Sequence, residues 1–79
     1  GKGFADIVYL PNISFKDRLP ALIIELKYKQ KAISAIEQIK ERHYDSKIRE
    51  FADSILYVGI NYDPQTKYHE CIIEEVEFK

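Results

Sequence analysis

Residues 21–27 (ALIIELK) limit the fold more than any other part of this 79-residue sequence. The segment is short and almost continuously apolar, which is typical of a central strand whose two faces are both covered. Side chains two residues apart on a strand share a face and lie roughly 6–7 Å apart. We therefore expect Glu25 and Lys27 to look out together from one face of the strand. The opposite face is lined by Leu22, Ile24 and Leu26.

A second carboxylate, Asp6, stands in another strand-like segment at residues 4–10. Charges inside apolar strands cost several kcal/mol each unless they are paired, bind a metal or lie at a wet cleft. Asp6, Glu25 and Lys27 together thus predict a metal-dependent active site. The alternative is a same-face ion pair of Glu25 and Lys27 at an exposed strand end, worth about 0–1 kcal/mol.

The changing period of apolar residues predicts the element order ββαββ. One amphipathic helix is expected from about residue 31 to 51, and residues 45–46 could mark its end. Because one helix covers only one face of a sheet, the other face needs a missing N-terminal domain or a partner chain, as in a homodimer. The predicted strands are residues 4–10, 21–28, 54–62 and 68–78.

Length and composition describe one small globular domain over residues 1–79. The chain contains no methionine and opens on Gly1-Lys2-Gly3 directly before a strand, so we expect a truncated piece of a longer protein. No apolar run reaches about 18 residues, which predicts no membrane span. The single Cys71 fits a cytoplasmic location. A net charge of −1 gives no overall basic surface for nucleic acid, although a local one remains open.

An Asp on one strand and Glu-x-Lys on its neighbour suit the hydrolysis of phosphodiester bonds. Two carboxylates offer hard oxygen ligands to Mg²⁺ and leave positions for water and a phosphate oxygen. Such a metal polarises the phosphoryl group and lowers the pKa of a bound water. A lysine beside it can orient that water, help to deprotonate it, or stabilise the charge that develops in the transition state.

Three segments together resemble the PD-(D/E)xK nuclease superfamily. They are Gly3-x-x-Asp6-Ile7-Val8, residues 21–27, and Gln38-Ile39-x4-Tyr44. More narrowly, the chain resembles the nuclease-like domain found C-terminal to an AAA-ATPase-like domain in bacterial proteins. The resemblance implies a restriction-endonuclease-like α/β fold with a mixed sheet. The helix that begins the superfamily core is missing from this sequence.

The same resemblance assigns roles to individual residues. It implies that Asp6 and Glu25 are metal ligands, joined by the backbone carbonyl of Leu26. It makes Lys27 the catalytic lysine. The implied cofactor is Mg²⁺, with Mn²⁺ as a substitute, and the implied partner is nucleic acid, DNA rather than RNA. The chain is then a metal-dependent nuclease.

Three further positions leave alternatives open. The resemblance makes Gln38 and Tyr44 accessory residues that face the site from the helix, but Gln38 is equally explained as a polar helix residue. Tyr44 is equally explained as a core aromatic. Phe4 stands where the related domains often have an arginine, which removes one phosphate contact. A catalytically inactive module for nucleic-acid binding or dimerisation, or a purely structural domain, therefore remains the alternative.

Overall fold

The computed structural model describes residues 7–42 and 45–78, and it confirms the predicted order of two strands, a helical segment and two strands. A short 3-10 helix in the first connection was not predicted; the Asn12 side chain caps it by accepting a hydrogen bond from the Ser14 amide. The elements are β1 (Ile7–Tyr9), the 3-10 helix (Ile13–Phe15), β2 (Ala21–Tyr28), α1 (Ala32–Glu41), α2 (Asp45–Ile48), β3 (Ser54–Asp63) and β4 (Tyr68–Glu77).

The four strands form one mixed sheet in the order β1-β2-β3-β4. The central pair, β2 and β3, is parallel and is joined through α1 and α2, because a parallel pair needs a long connection. Both outer pairs are antiparallel. The α/β class and the mixed sheet of a restriction-endonuclease-like fragment are thus confirmed.

The core lies on one face of the sheet, against α1. Ala21 and Ile23 of β2 and Ile55 of β3 are buried there beneath Ile36 and Ile39 of the helix. Burial alternates along both central strands, as expected when one face packs on a helix and the other does not.

Gly59 of β3 sets how closely α1 approaches the sheet. A β-carbon at this position would lie 2.5 Å from the Ala32 carbonyl oxygen and 3.1 Å from Ala35 and Ile36 side-chain carbons. No other residue type fits so near to backbone without moving the helix. The first turns of α1 therefore pack directly on β3, and the later turns then lie over β2.

Two expectations about element limits need correction or completion. The predicted helix from 31 to 51 is divided, because α1 ends at Glu41 and α2 covers Asp45–Ile48. Residues 43 and 44 lie outside the described residues. The predicted first strand is described only as Ile7–Tyr9, and residues 4–6 also lie outside that part of the chain.

The second face of the sheet is less buried than predicted. Leu22, Ile24 and Leu26 are half-buried, whereas the residues that alternate with them on β2 are buried. Ile73 of β4, which pairs with Val58, is 62% exposed. A domain or partner chain over this face stays a prediction. None of the helices within the described ranges is long and apolar enough to cross a membrane.

Candidate active site

The charged pair of β2 lies under α1. Glu25 and Lys27 share a face of the strand, as the spacing predicted, but this face does not look outward. Glu25 is 0% exposed and Lys27 is 6% exposed. A surface ion pair at an exposed strand end therefore does not describe them. Two buried charges require specific compensation, since burying an uncompensated ion costs several kcal/mol.

Gln38 of α1 supplies part of that compensation by bridging the pair. Its amide Nε2 donates a hydrogen bond to Glu25 Oε2 over 2.9 Å. Its amide Oε1 accepts a hydrogen bond from the Lys27 ammonium. One side chain thus satisfies an acceptor and a donor of opposite charge, which fixes both side chains relative to the helix. Gln38 thus faces Glu25 and Lys27 from α1, and its accessory role stays a prediction.

The other oxygen of the Glu25 carboxylate is the unusual group. Glu25 Oε1 is buried and accepts no hydrogen bond from the described residues. Among the described residues, the Arg42 guanidinium at the end of α1 forms an ion pair with it, with Nη1 3.7 Å away and beyond hydrogen-bond distance. Buried carboxylate oxygens are nearly always hydrogen-bonded, so an unbonded one suits a position for a bound ion.

The turn from β2 into α1 is held by two side chains that the sequence interpretation missed. Asn61 of β3, 3% exposed and paired with Lys27 in the sheet, accepts a hydrogen bond from the Gln30 amide over 2.7 Å. Glu70 of β4 accepts one from the Ala32 amide over 2.8 Å, which places a carboxylate at the positive end of the helix. Glu70 therefore helps to hold the start of α1 against β4.

The sequence interpretation also missed Arg42. Sequence patterns indicate two of the three missed residues, Arg42 and Asn61. Arg42 follows Gln38 by four positions, so both lie on one side of a helix. Asn61 is a polar residue that continues the buried alternation of Tyr57 and Gly59 on β3. Glu70 had no such signal, because its contact with Ala32 joins residues 38 positions apart.

The metal-binding, catalytic and accessory roles of the predicted site residues all stay predictions. Asp6 and Tyr44 lie outside the described residues. Leu26 lies between Glu25 and Lys27 on β2, and its carbonyl stays a predicted ligand. Within residues 7–42 and 45–78, no three carboxylate, histidine or cysteine side chains gather where they could hold a metal ion.

One comparison with known proteins decides the family. The model of the PD-(D/E)XK nuclease superfamily matches residues 1–71, nearly the whole chain. The chain belongs to the PD-(D/E)XK nuclease superfamily. Searches among curated proteins and among solved structures found no match. Membership implies a nuclease-like fold and a nucleic-acid substrate, and nucleases of this superfamily usually use divalent metal ions.

The donor set of this nuclease-like domain fits a hard divalent cation. Glu25 contributes a buried carboxylate oxygen that accepts no hydrogen bond from residues 7–42 or 45–78. Mg²⁺ and Mn²⁺ prefer oxygen ligands, and Mg²⁺ usually takes one or two protein carboxylates and keeps several waters. A single described carboxylate, with a second acid elsewhere in the chain, therefore suffices for such a site.

The Gln38 bridge leads to a prediction about stability. In Gln38→Leu, Glu25 Oε2 and the Lys27 ammonium keep their buried positions but lose their shared partner. We expect the free energy of unfolding in urea to fall by about 2 kcal/mol, because a buried polar group left without a partner costs about 1–3 kcal/mol. Gln65→Leu, in the exposed turn after β3, is the matched control and should change it by less than about 0.5 kcal/mol. Equal stability of both variants would contradict the bridge.

Proposed function

We propose that this domain is a Mg²⁺-dependent nuclease that hydrolyses phosphodiester bonds of nucleic acid, with Glu25 and Lys27 at its centre. The observation that carries the proposal is the buried Glu25 carboxylate oxygen, which has no hydrogen bond within the described part of the chain and shares its strand face with a buried lysine. A structural ion pair has no need to leave such an oxygen unbonded. A metal ligand, by contrast, needs an oxygen without a hydrogen bond, because that oxygen must be available to the ion.

Asp6 is proposed as the second carboxylate ligand. It directly precedes Ile7 in the chain, and Ile7 pairs with Ile24 in the antiparallel β1–β2 register. Glu25 directly follows Ile24. An antiparallel register that continued by one residue beyond Ile7 and Ile24 would set Asp6 opposite Glu25. This supports assigning both carboxylates to one ion. The backbone carbonyl of Leu26 completes the proposed protein ligands, with Mn²⁺ as a substitute for Mg²⁺.

The bound cation would polarise the scissile phosphate and activate a water molecule. Lys27 is proposed to orient the attacking water and to stabilise negative charge in the transition state. The Gln38 amide accepts a hydrogen bond from the Lys27 ammonium, so it fixes the direction of that charge. Tyr44, which lies between α1 and α2 in the sequence, is proposed as an accessory residue.

DNA is proposed as the substrate rather than RNA, and the cytoplasm as the location. The site combines the Glu25 carboxylate with N–H donors of Lys27, Gln38 and Arg42. This mixture of charges suits either nucleic acid. Such a cluster can hold a metal ion and phosphate oxygens together.

The experiment compares cleavage of linear DNA, circular DNA and single-stranded RNA by the full chain, with Mg²⁺ and with EDTA. We expect cleavage of DNA that requires the metal. Circular DNA separates internal cutting from attack at ends. Absence of cleavage of all three substrates, in protein that is folded and binds Mn²⁺, would overturn the catalytic proposal and favour an inactive nucleic-acid-binding or dimerisation module.

A further inference from the structure

Arg42 stands in an unusual relation to the proposed metal ligand. Its guanidinium lies 3.7 Å from Glu25 Oε1, the buried oxygen that accepts no hydrogen bond. The arginine side chain is 41% exposed, whereas the carboxylate is fully buried. A partly exposed cation therefore lies beside the buried Glu25 oxygen that is proposed to bind the metal.

The contact is electrostatic without being a hydrogen bond. At 3.7 Å the guanidinium is too far to direct an N–H bond at the oxygen, but near enough to attract it strongly in a buried setting. Charge compensation of Glu25 by Arg42 thus does not need a fixed geometry. A half-exposed arginine at the end of a helix can move toward solvent when another cation takes the oxygen.

We propose that Arg42 couples metal binding to nucleic-acid binding: it neutralises Glu25 when no metal is bound, and it binds a phosphate of the nucleic acid when a divalent cation occupies Glu25 Oε1. This inference rests on the proposed metal-dependent function. A cation on Oε1 would repel the guanidinium and turn its N–H donors toward an anion on the solvent side. Phosphate is the anion that its planar fork of donors fits best, because arginine can bind two phosphate oxygens at once.

Arg42 should affect metal binding in two opposite ways, which a purely structural arginine would not. Arg42 competes with the metal for Glu25 in the free protein, so it weakens metal binding by itself. In the presence of nucleic acid it helps both ligands to bind. Because coupling between two ligands is reciprocal, metal should tighten nucleic-acid binding by the same factor that nucleic acid tightens metal binding.

The test measures both affinities in the full chain. Calorimetry gives the Kd of Mn²⁺ without nucleic acid. Fluorescence anisotropy gives the Kd of a short labelled DNA duplex with and without Mn²⁺, and a gel confirms that the duplex remains intact. The variants are Arg42→Gln, which removes the charge, and Arg42→Lys, which keeps the charge but loses the fork. Arg49→Gln is the matched control, since that exposed arginine lies over the Phe78 ring.

We expect Arg42→Gln to bind Mn²⁺ about fivefold more tightly than the wild type, while the gain in DNA affinity on adding Mn²⁺ falls by about fivefold or more. Arg42→Lys should keep the wild-type Kd for Mn²⁺ and lose part of the metal-dependent gain for DNA. Arg49→Gln should match the wild type in both measurements.

Two results would overturn the inference. Unchanged or weaker Mn²⁺ binding in folded Arg42→Gln would show that the arginine does not compete for Glu25. An undiminished metal-dependent gain in DNA affinity would show that it does not contact phosphate. Both results leave the proposed nuclease function intact. If the wild type itself binds no Mn²⁺, the metal site and this inference fail together.

Discussion

Replacing Lys27 by methionine is expected to lower the rate of metal-dependent cleavage by about 10²–10⁴-fold, the range typical of removing a positioned acid–base or charge-stabilising group. Methionine keeps the unbranched apolar stem that lies buried on β2 and removes only the ammonium group. The Gln38 amide oxygen loses its donor, while Gln38 Nε2 still donates its hydrogen bond to Glu25. The variant should therefore fold and keep its metal ligands.

Metal binding separates this role from a structural one. Lys27→Met should bind Mn²⁺ at least as tightly as the wild type, because a positive charge beside the carboxylate has been removed. Lys47→Met, on the exposed side of α2, changes the same residue type away from the site and should cleave at the wild-type rate. A Lys27→Met variant that cleaves within about threefold of the wild type would remove the lysine from the proposed mechanism.

Replacing Glu25 by glutamine is expected to abolish cleavage, with a loss of at least about a thousandfold. The amide has the size of the carboxylate and can still accept the hydrogen bond from Gln38 Nε2. It carries no negative charge to hold a divalent ion at this buried position. The measurement is the single-turnover cleavage rate under saturating protein. Glu37→Gln, an exposed position next to Gln38 on α1, is the matched control.

The same variant should lose stabilisation by metal. A ligand that binds only the folded state raises the free energy of unfolding by about 2.7 kcal/mol when its concentration is a hundred times its Kd. We expect Mg²⁺ or Mn²⁺ to raise the unfolding temperature of the wild type and of Glu37→Gln, and to leave that of Glu25→Gln unchanged. Equal metal-induced shifts in all three proteins would place the ion elsewhere.

The sequence was sufficient for the parts of the fold that depend on local spacing. Period-two alternation predicted that Glu25 and Lys27 share one face of β2, as observed, whereas the orientation of Gln38 was implied only by the resemblance to the nuclease superfamily. Alternation alone could not show which face of β2 packs against the helix. The face with Leu22, Ile24 and Leu26 is the more apolar of the two and would be expected to be the buried one. The structure buries the charged face, since there the polar groups find partners in α1.

The rest depends on contacts between distant elements. How near α1 lies to the sheet follows from Gly59, where a β-carbon would collide with the Ala32 carbonyl oxygen. That distance allows Gln38 to bridge the charged pair and brings Arg42 within reach of Glu25. No local pattern gives this distance, so the spacing that puts Arg42 and Asn61 on the right faces was not enough to identify them as neighbours of Glu25 and Lys27.

Mn²⁺ titration of the metal-free protein is the most direct test of the central claim that Glu25 is a ligand of a divalent cation. Electron paramagnetic resonance of free Mn²⁺ counts the ions bound by the wild type, Glu25→Gln, Asp6→Asn and the control Glu37→Gln. The account predicts saturable binding in the wild type and in Glu37→Gln, and its loss in Glu25→Gln and Asp6→Asn. Equal binding by folded Glu25→Gln and wild type would contradict it.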